Sequence, residues 1–301
     1  MKHFAMDVND AANIGFVVQQ QAHIEAQVLQ RRYPAITYMN DVPVDTSAHP
    51  FAKTITFFAS ERVGNAKVVN GHGDDLPLAN IDLNKFDAPV FMAGIAYSFS
   101  LEEVGQAQML GMNLDAMGAD AARFAYEKFV DAAVYTGAGL PNTSGLYNSA
   151  AITPVAATGL FSALTPDQVL TNLNTLIGGA FSATLGVEMV NTVRLPLAVF
   201  TDLTTRRIPD TNMTVMQFLR EANVYTAQTG QPLDIKADFR LTNRAVAWMK
   251  DPEVLKLHLP MALRFLPVQP RNIEYYVLGM FRMAGLDIRR PAAVRYLDGV
   301  A

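Results

Sequence analysis

Cysteine is absent from this 301-residue chain. That excludes disulfides, thiolate metal sites and a cysteine nucleophile, and leaves packing alone to hold the fold. Charge is scarce as well: charged residues make up 17% and hydrophobic residues 50%, a low charged share for a soluble monomer. A surface with so little charge is expected to be covered in part by partners. Runs of Lys or Arg never exceed two residues and the net charge is −4, which argues against a dedicated nucleic-acid binder. The first ten residues hold no apolar core of the kind a signal peptide needs. No stretch approaches the roughly 18 apolar residues of a membrane span. The expectation is a protein made and folded in a cytoplasm, with no membrane partner.

Catalytic patterns are missing too. The chain has no phosphate-binding G-x-x-x-x-G-K-[ST], no G-x-S-x-G and no H-E-x-x-H. The best metal or acid–base candidate is His72 with Asp74 and Asp75, one imidazole and two carboxylates. It sits among the turn-formers Asn70, Gly71 and Gly73, so a solvated hairpin tip is the favoured reading. Glu102 and Glu103 form a carboxylate pair on paper, but they open a helix, where negative charge serves capping. Tyr275 and Tyr276 with Arg271 and Arg282 could form a stacking platform for nucleic acid, or simply pack across a sheet. No catalytic residue, cofactor or metal is expected.

What the chain does have is one long helical stretch, residues 101–136. Ser100 and Glu103 have the spacing of a capping box. Apolar residues then recur at helical intervals: Leu101, Val104, Leu114, Met117, Ala121, Ala125, Phe129 and Ala133. Gly105, Gly111 and Gly118 each cost about 1 kcal/mol inside a helix, and Asn113 offers a second N-cap. The pattern predicts a short helix, a break near residues 111–113 and a longer helix from Leu114, stopping at Gly137.

Around that helix the chain reads in blocks. Residues 1–32 form an arm with a loose helical stripe. Residues 33–53 carry prolines 34, 43 and 50 and read as an extended connector. Residues 54–97 read as one long β-excursion, with strands at 54–59, 66–69, 76–83 and 90–97. Such a length without its own packing is out of place in a compact domain unless it lies on a neighbour. Thr165-Pro166-Asp167 starts a helix to about residue 183. Residues 196–205 and 215–222 read as helices and 233–237, 245–249 and 254–258 as strands, an α/β lobe over 164–258. Residues 261–267, 273–283, 285–289 and 293–296 return as strands, expected to form a sheet against the long helix.

This order resembles the major capsid protein of tailed bacteriophages, the Hong Kong 97 fold. The residues that carry the likeness are Val63-Gly64-Asn65-Ala66-Lys67, Gly73-Asp74-Asp75-Leu76-Pro77, Tyr97 to Glu103, Gln106-Ala107-Gln108, Gly111-Met112-Asn113-Leu114-Asp115 and Gly145-Leu146-Tyr147-Asn148. The resemblance implies an α+β capsid fold: an N-terminal arm (1–53), an extended β-hairpin called the E-loop (54–97), a spine helix with peripheral elements (98–163), an axial α/β domain (164–258) and returning peripheral strands (259–301). It implies Gly64, Lys67, Gly71, Gly73, Asp74, Asp75 and Pro77 as E-loop residues facing other subunits. It implies Ser100, Glu103, Leu114, Ala121 and Phe129 as markers of the spine.

The implied function is structural. Copies of the chain close as hexamers and pentamers into an icosahedral virion shell around packaged double-stranded DNA, built in a bacterial host cytoplasm. Scaffolding and portal proteins are implied partners, and a decoration protein is a further one. Some relatives cross-link through an E-loop lysine; Lys67 stands in that region, but no asparagine partner is identifiable and no cross-link is expected. Two other readings stay open: an encapsulin-like compartment of the same fold, and a cytoplasmic α+β enzyme using His72, Asp74 and Asp75.

Overall fold

A computed structural model describes residues 33–67, 78–110 and 113–301. The chain divides into Met1–Ala35, of which only residues 33–35 are described and have no regular structure, and Ile36–Ala301. The helical stripe expected in residues 1–32, the strand pieces at 68–69 and 76–77, and the turn at 70–75 all lie outside the described residues.

The body opens with a short helix α1 (Tyr38–Asp41), strand β1 (Val44–Asp45), then β2 (Thr54–Val63) and β3 (Asn80–Ser100). Instead of two strands, residues 80–100 form one, about 70 Å long at 3.3 Å per residue. Its first half pairs antiparallel with β2, from Val63↔Asn80 to Thr54↔Pro89. Its second half pairs with β11 (Glu274–Ala284), from Val90↔Ala284 to Ser100↔Glu274. Pro89 sits at the handover, where a missing N–H costs no ladder bond, and the Val90 N–H returns to the Lys53 carbonyl at 3.0 Å.

Helices α2 (Leu101–Leu110) and α3 (Leu114–Thr136) follow, broken where the sequence places the break. Then come β4 (Val155–Ala156), α4 (Pro166–Ala183), β5 (Thr192–Pro196), α5 (Leu197–Thr205), α6 (Val215–Glu221), α7 (Val224–Thr229), β6 (Asp234–Asp238), β7 (Arg244–Trp248), β8 (Leu255–His258), β9 (Met261–Phe265), β10 (Gln269–Arg271), β12 (Leu286–Ile288) and β13 (Val294–Asp298). The helix start at Thr165 is a full capping box closed by Gln168.

Contrary to the expectation of one returning sheet, these strands divide among three sheets. β9 and β10 pair with β11, β12 pairs with β8, and β13 joins the sheet β4-β13-β7-β5-β6. β8 in turn leaves the α/β lobe for a three-stranded sheet, β1-β8-β12. The reason is alternation in β7 and β13. In β7, Val246 and Trp248 face a core shared with the spine helix α3 and β11, while Ala245 and Ala247 face a second core under α4. β13 does the same with Tyr296 and Leu297. A strand with two apolar faces belongs between two layers, so these strands form the wall between both cores.

A buried ionic network ties α1, α3 and this wall together. Asp131 of α3 accepts the N–H groups of Thr37 (3.0 Å) and Tyr38 (3.3 Å), capping α1 from another helix, and pairs with Arg240. Arg240 also binds Asp238 at 2.9 Å, and its guanidinium lies 4.2 Å from the Tyr135 ring centre. Arg194 of β5 pairs with Asp41 and with Asp234. Tyr135 donates to Asp41, Tyr147 donates to Asp238 at 2.6 Å, and the Trp248 indole donates to the Asp41 carbonyl at 3.2 Å. Burial pushes the Tyr135 and Tyr147 phenols up, helped by those carboxylates, so both stay donors. Burial opposes the Arg194 charge, but Asp41 and Asp234 outweigh it and raise its pKa.

Removing one partner of a buried pair leaves an uncompensated charge, which costs roughly 3–5 kcal/mol. Arg240→Ala should therefore lower the unfolding free energy by about that much in urea titrations; a loss under about 1 kcal/mol would show that the network carries little of the fold.

Acid should weaken the body through three carboxyls whose values are lowered. Asp45 is held down to about 2 by the Ser47 hydroxyl and backbone N–H, and by Lys256. Asp234 and Asp287 are lowered despite burial, by Arg194 and Lys236 in one case and by His258 and Arg289 in the other. The stability they contribute is present above about pH 4 and is lost as the pH falls through their folded values. Asp45→Asn should flatten the acid limb of the melting temperature between about pH 4 and pH 2.

Candidate functional site

The part of the body with least support of its own is the hairpin of β2 and the first half of β3. Residues directly opposite in an antiparallel pair share a face. One face therefore carries Phe58/Lys85, Ser60/Leu83 and Arg62/Ile81, and the other Phe57/Phe86 and Ala59/Asn84. Phe58, Ile81 and Leu83 are each 67% exposed. Every described residue from 80 to 87 is exposed, so neither face is covered. Only the root is cemented. Phe57 and Phe86 stack at 5.2 Å, the Arg289 guanidinium lies 4.5 Å over Phe57, and Thr56 and Lys85 both bind Asp87. A cleft of about 770 Å³ opens beside that root, between Phe57–Ser60 and residues 287–291. A lone two-stranded ribbon is marginal in water, and this one presents apolar side chains to solvent. Its arrangement suits contact with another surface.

The spine that follows is fixed at both ends by local hydrogen bonds. The Ser100 N–H donates to Glu103 at 2.8 Å and the Glu103 N–H to the Ser100 hydroxyl at 3.2 Å, the expected box. Asn113 accepts from the Ala116 N–H at 3.2 Å and caps α3. Tyr97 of β3 donates to Asp115 at 2.8 Å, and burial with that bond pushes its phenol up to about 12. Gly118 makes room for the ring: a Cβ there would sit 2.6 Å from Tyr97. So this glycine is a contact point between helix and sheet, while Gly105 has nothing near it.

At the other end, the last four carbonyls of α3 are all answered. Ala133 accepts from Gly137, Val134 from Leu146, Tyr135 from Tyr147 and Thr136 from the Asn148 amide. Gly145 is needed because a Cβ would collide with the Tyr135 backbone at 2.2 Å. Gly145-Leu146-Tyr147-Asn148 is thus a C-terminal cap made by a returning loop.

The apolar stripe expected on the spine is corrected by one position in its second half. The buried residues are Ala122, Tyr126, Val130, Ala133 and Val134, with Asp131 and Tyr135. Ala121 is exposed, Leu114 is half-buried, and Phe129 is half-buried with its ring 5.6 Å from Phe281. Leu101 and Met117 are exposed as well. Near the helix break, Val104, Ala107 and Leu114 line a cavity of about 460 Å³ with Phe99, Val268 and Tyr275.

Of the E-loop residues, Gly64 ends the described hairpin, 2.9 Å from the Ala79 Cα if it bore a Cβ, and Lys67 follows without regular structure. Gly71, His72, Gly73, Asp74, Asp75 and Pro77 lie outside the described residues. Among the described residues, no group of three His, Asp or Glu side chains could hold a metal, and no helix is long and apolar enough to cross a membrane. Tyr275 and Tyr276 stand opposite Phe99 and Ser98 in the sheet. Arg271 lies 5.7 Å over Tyr276, but Arg282 turns to the Pro50 carbonyl, so the four do not form one platform. Sequence reasoning missed Asp41, Asp131, Arg194 and Arg240, for which spacing gave no signal.

A family profile described as "Major capsid protein" matches residues 64–300. The chain belongs to the major capsid protein family. Solved structures show the same fold. The capsid of Myoviridae phage XM1 superposes with a TM-score of 0.80 at 18% identity, over 94% of this chain and 98% of that one. The capsid of an empty GTA particle gives 0.67 at 12% identity, over 99% and 100%. A virus-like particle from Pyrococcus furiosus gives 0.53 at 10% identity, over 86% and 91%. No curated protein sequence matches. The capsid protein therefore has the Hong Kong 97-like α+β fold expected of it, and its role is structural, in a capsid.

The Tyr97 clamp can be tested in the capsid protein's own stability. Tyr97→Phe, which loses only the bond to Asp115, should cost about 0.5–1.5 kcal/mol. Gly118→Val, which drives a side chain into the ring, should cost roughly 1–3 kcal/mol. No measurable loss from either variant in denaturant titrations would refute the clamp.

Proposed function

We propose that the chain builds an icosahedral shell of hexamers and pentamers around packaged double-stranded DNA, and that it has no catalytic role. What carries this reading is the hairpin: ten paired residues per strand, open on both faces, with Phe58, Ile81 and Leu83 exposed on one of them. In the assembled shell that hairpin, as the E-loop, lies on a neighbouring subunit, and the region around α4 to β7 gathers at the symmetry axes. Many modest contacts of this kind sum to a stable lattice without any one being strong. A net charge of −4 suits a wall that encloses DNA without gripping it. Scaffolding and portal proteins supply the size and the entry point, a decoration protein is a further partner, and assembly takes place in the host cytoplasm.

Purified chain, with scaffold where needed, should give rings or closed shells in negative-stain images. A monomer that never assembles would overturn the proposal, and shells filled with a copurifying enzyme in place of DNA would favour a storage compartment. Phe58→Glu with Leu83→Glu should leave the subunit folded, since exposed substitutions change stability by roughly 0.5 kcal/mol, while shell yield falls at least about tenfold, in line with lost core contacts of an interface. Normal shells from this variant would remove the hairpin from the interface.

A further inference from the structure

His258 ends β8 with its side chain 3% exposed. Asp45 of β1 stands directly opposite it in the sheet register. Its Nδ1 lies 3.5 Å from the Asp45 Oδ2 and its Nε2 lies 3.6 Å from the Asp287 Oδ2 of β12. Among the described residues, neither ring nitrogen has a hydrogen-bond partner. A neutral imidazole carries one N–H and one lone pair, whereas a carboxylate only accepts. Between two ionised carboxylates, the neutral ring must aim its lone pair at one of them. Only the imidazolium donates to both.

Among the described residues, two further cations meet these carboxylates. Lys256, on the same strand, reaches the Asp45 Oδ2 at 3.3 Å, and Arg289 reaches the Asp287 Oδ2 at 2.9 Å. Both are partly exposed and meet the same two oxygens as the ring does. The two carboxylates in turn sit where the hairpin is held. β1 lies within the connector that leads into β2. Asp287 positions Arg289, whose guanidinium lies over Phe57 at the hairpin root.

We propose that His258 is a proton-operated clamp: as imidazolium it bridges β1 and β12, and on losing its proton it releases one of them and loosens the root of the hairpin. The clamp thus makes the stiffness of the hairpin base depend on pH. It needs only the folded subunit, so its failure would leave the capsid reading untouched.

The test is hydrogen–deuterium exchange of the full-length protein at about pH 5.5 and about pH 8.5. After correction for intrinsic exchange, peptides covering 44–58 and 286–290 should exchange at least about threefold faster at the higher pH. Peptides from the spine should not change. In His258→Gln, which cannot take up a proton, that pH dependence should vanish. Equal protection at both pH values, or the same pH dependence in the variant, would overturn the proposal. If the variant does not fold, nitrogen-15 spectra of histidine-labelled wild-type protein decide: both ring nitrogens of His258 should be protonated at about pH 5.5. A singly protonated ring there would also overturn it.

Discussion

The body depends on one buried set of charges. Asp41, Asp131 and Asp238 face Arg194 and Arg240 beneath the second half of the spine, with Tyr135 and Tyr147 filling the remaining acceptor sites. Such a network is a weak source of net stability, because desolvating the ions cancels much of their attraction. Its value lies in geometry. A hydrophobic contact tolerates sliding, while a guanidinium between two carboxylates does not. The network therefore sets the angle at which the segment around α1, the spine and the wall of β7 and β5 meet.

Helix ends were legible in the sequence because capping is local. Ser100 with Glu103, Asn113, Gly137 and Thr165 each act within four residues, and each does what its spacing announces. The long strand 80–100 was less so, since Pro89 reads as a break until one sees that the two halves have different neighbours. The buried face of the spine was misjudged by one residue because it contains Asp131 and Tyr135, whereas several of its best apolar residues point outwards. The network itself left no local trace. Its partners lie up to 207 residues apart, and an aspartate far from its arginine looks like any surface aspartate. The strand order failed for a similar reason: β12 and β13 were assigned by proximity in sequence, yet β7 needed a partner with two apolar faces. The hairpin was the most legible part of the candidate site, because a β-excursion too long for its own domain stands out in the sequence.

The two ends of the body differ in kind. Around the network, side chains are closed in and polar groups are answered. Along the hairpin, apolar side chains meet solvent and one pair of strands supports itself. That gradient suits a subunit whose inner frame must keep one shape while its reach adapts to neighbours in slightly different positions.

β3 gives this division a sharper consequence. One unbroken strand runs from the sheet under the spine to the last described pair of the hairpin, so both share a single phase of side-chain alternation. A slip of one residue would turn every side chain to the opposite face. The body sheet cannot slip, because its inward positions are buried. The outward chemistry of the hairpin is therefore written in the same frame as the core: Phe58, Ile81 and Leu83 face one way because Val277 and Phe281, tens of ångströms off and on another strand, face inwards. The hairpin carries no register of its own to lose, and a deletion of a single residue in β3 would turn its outward side chains to the opposite face.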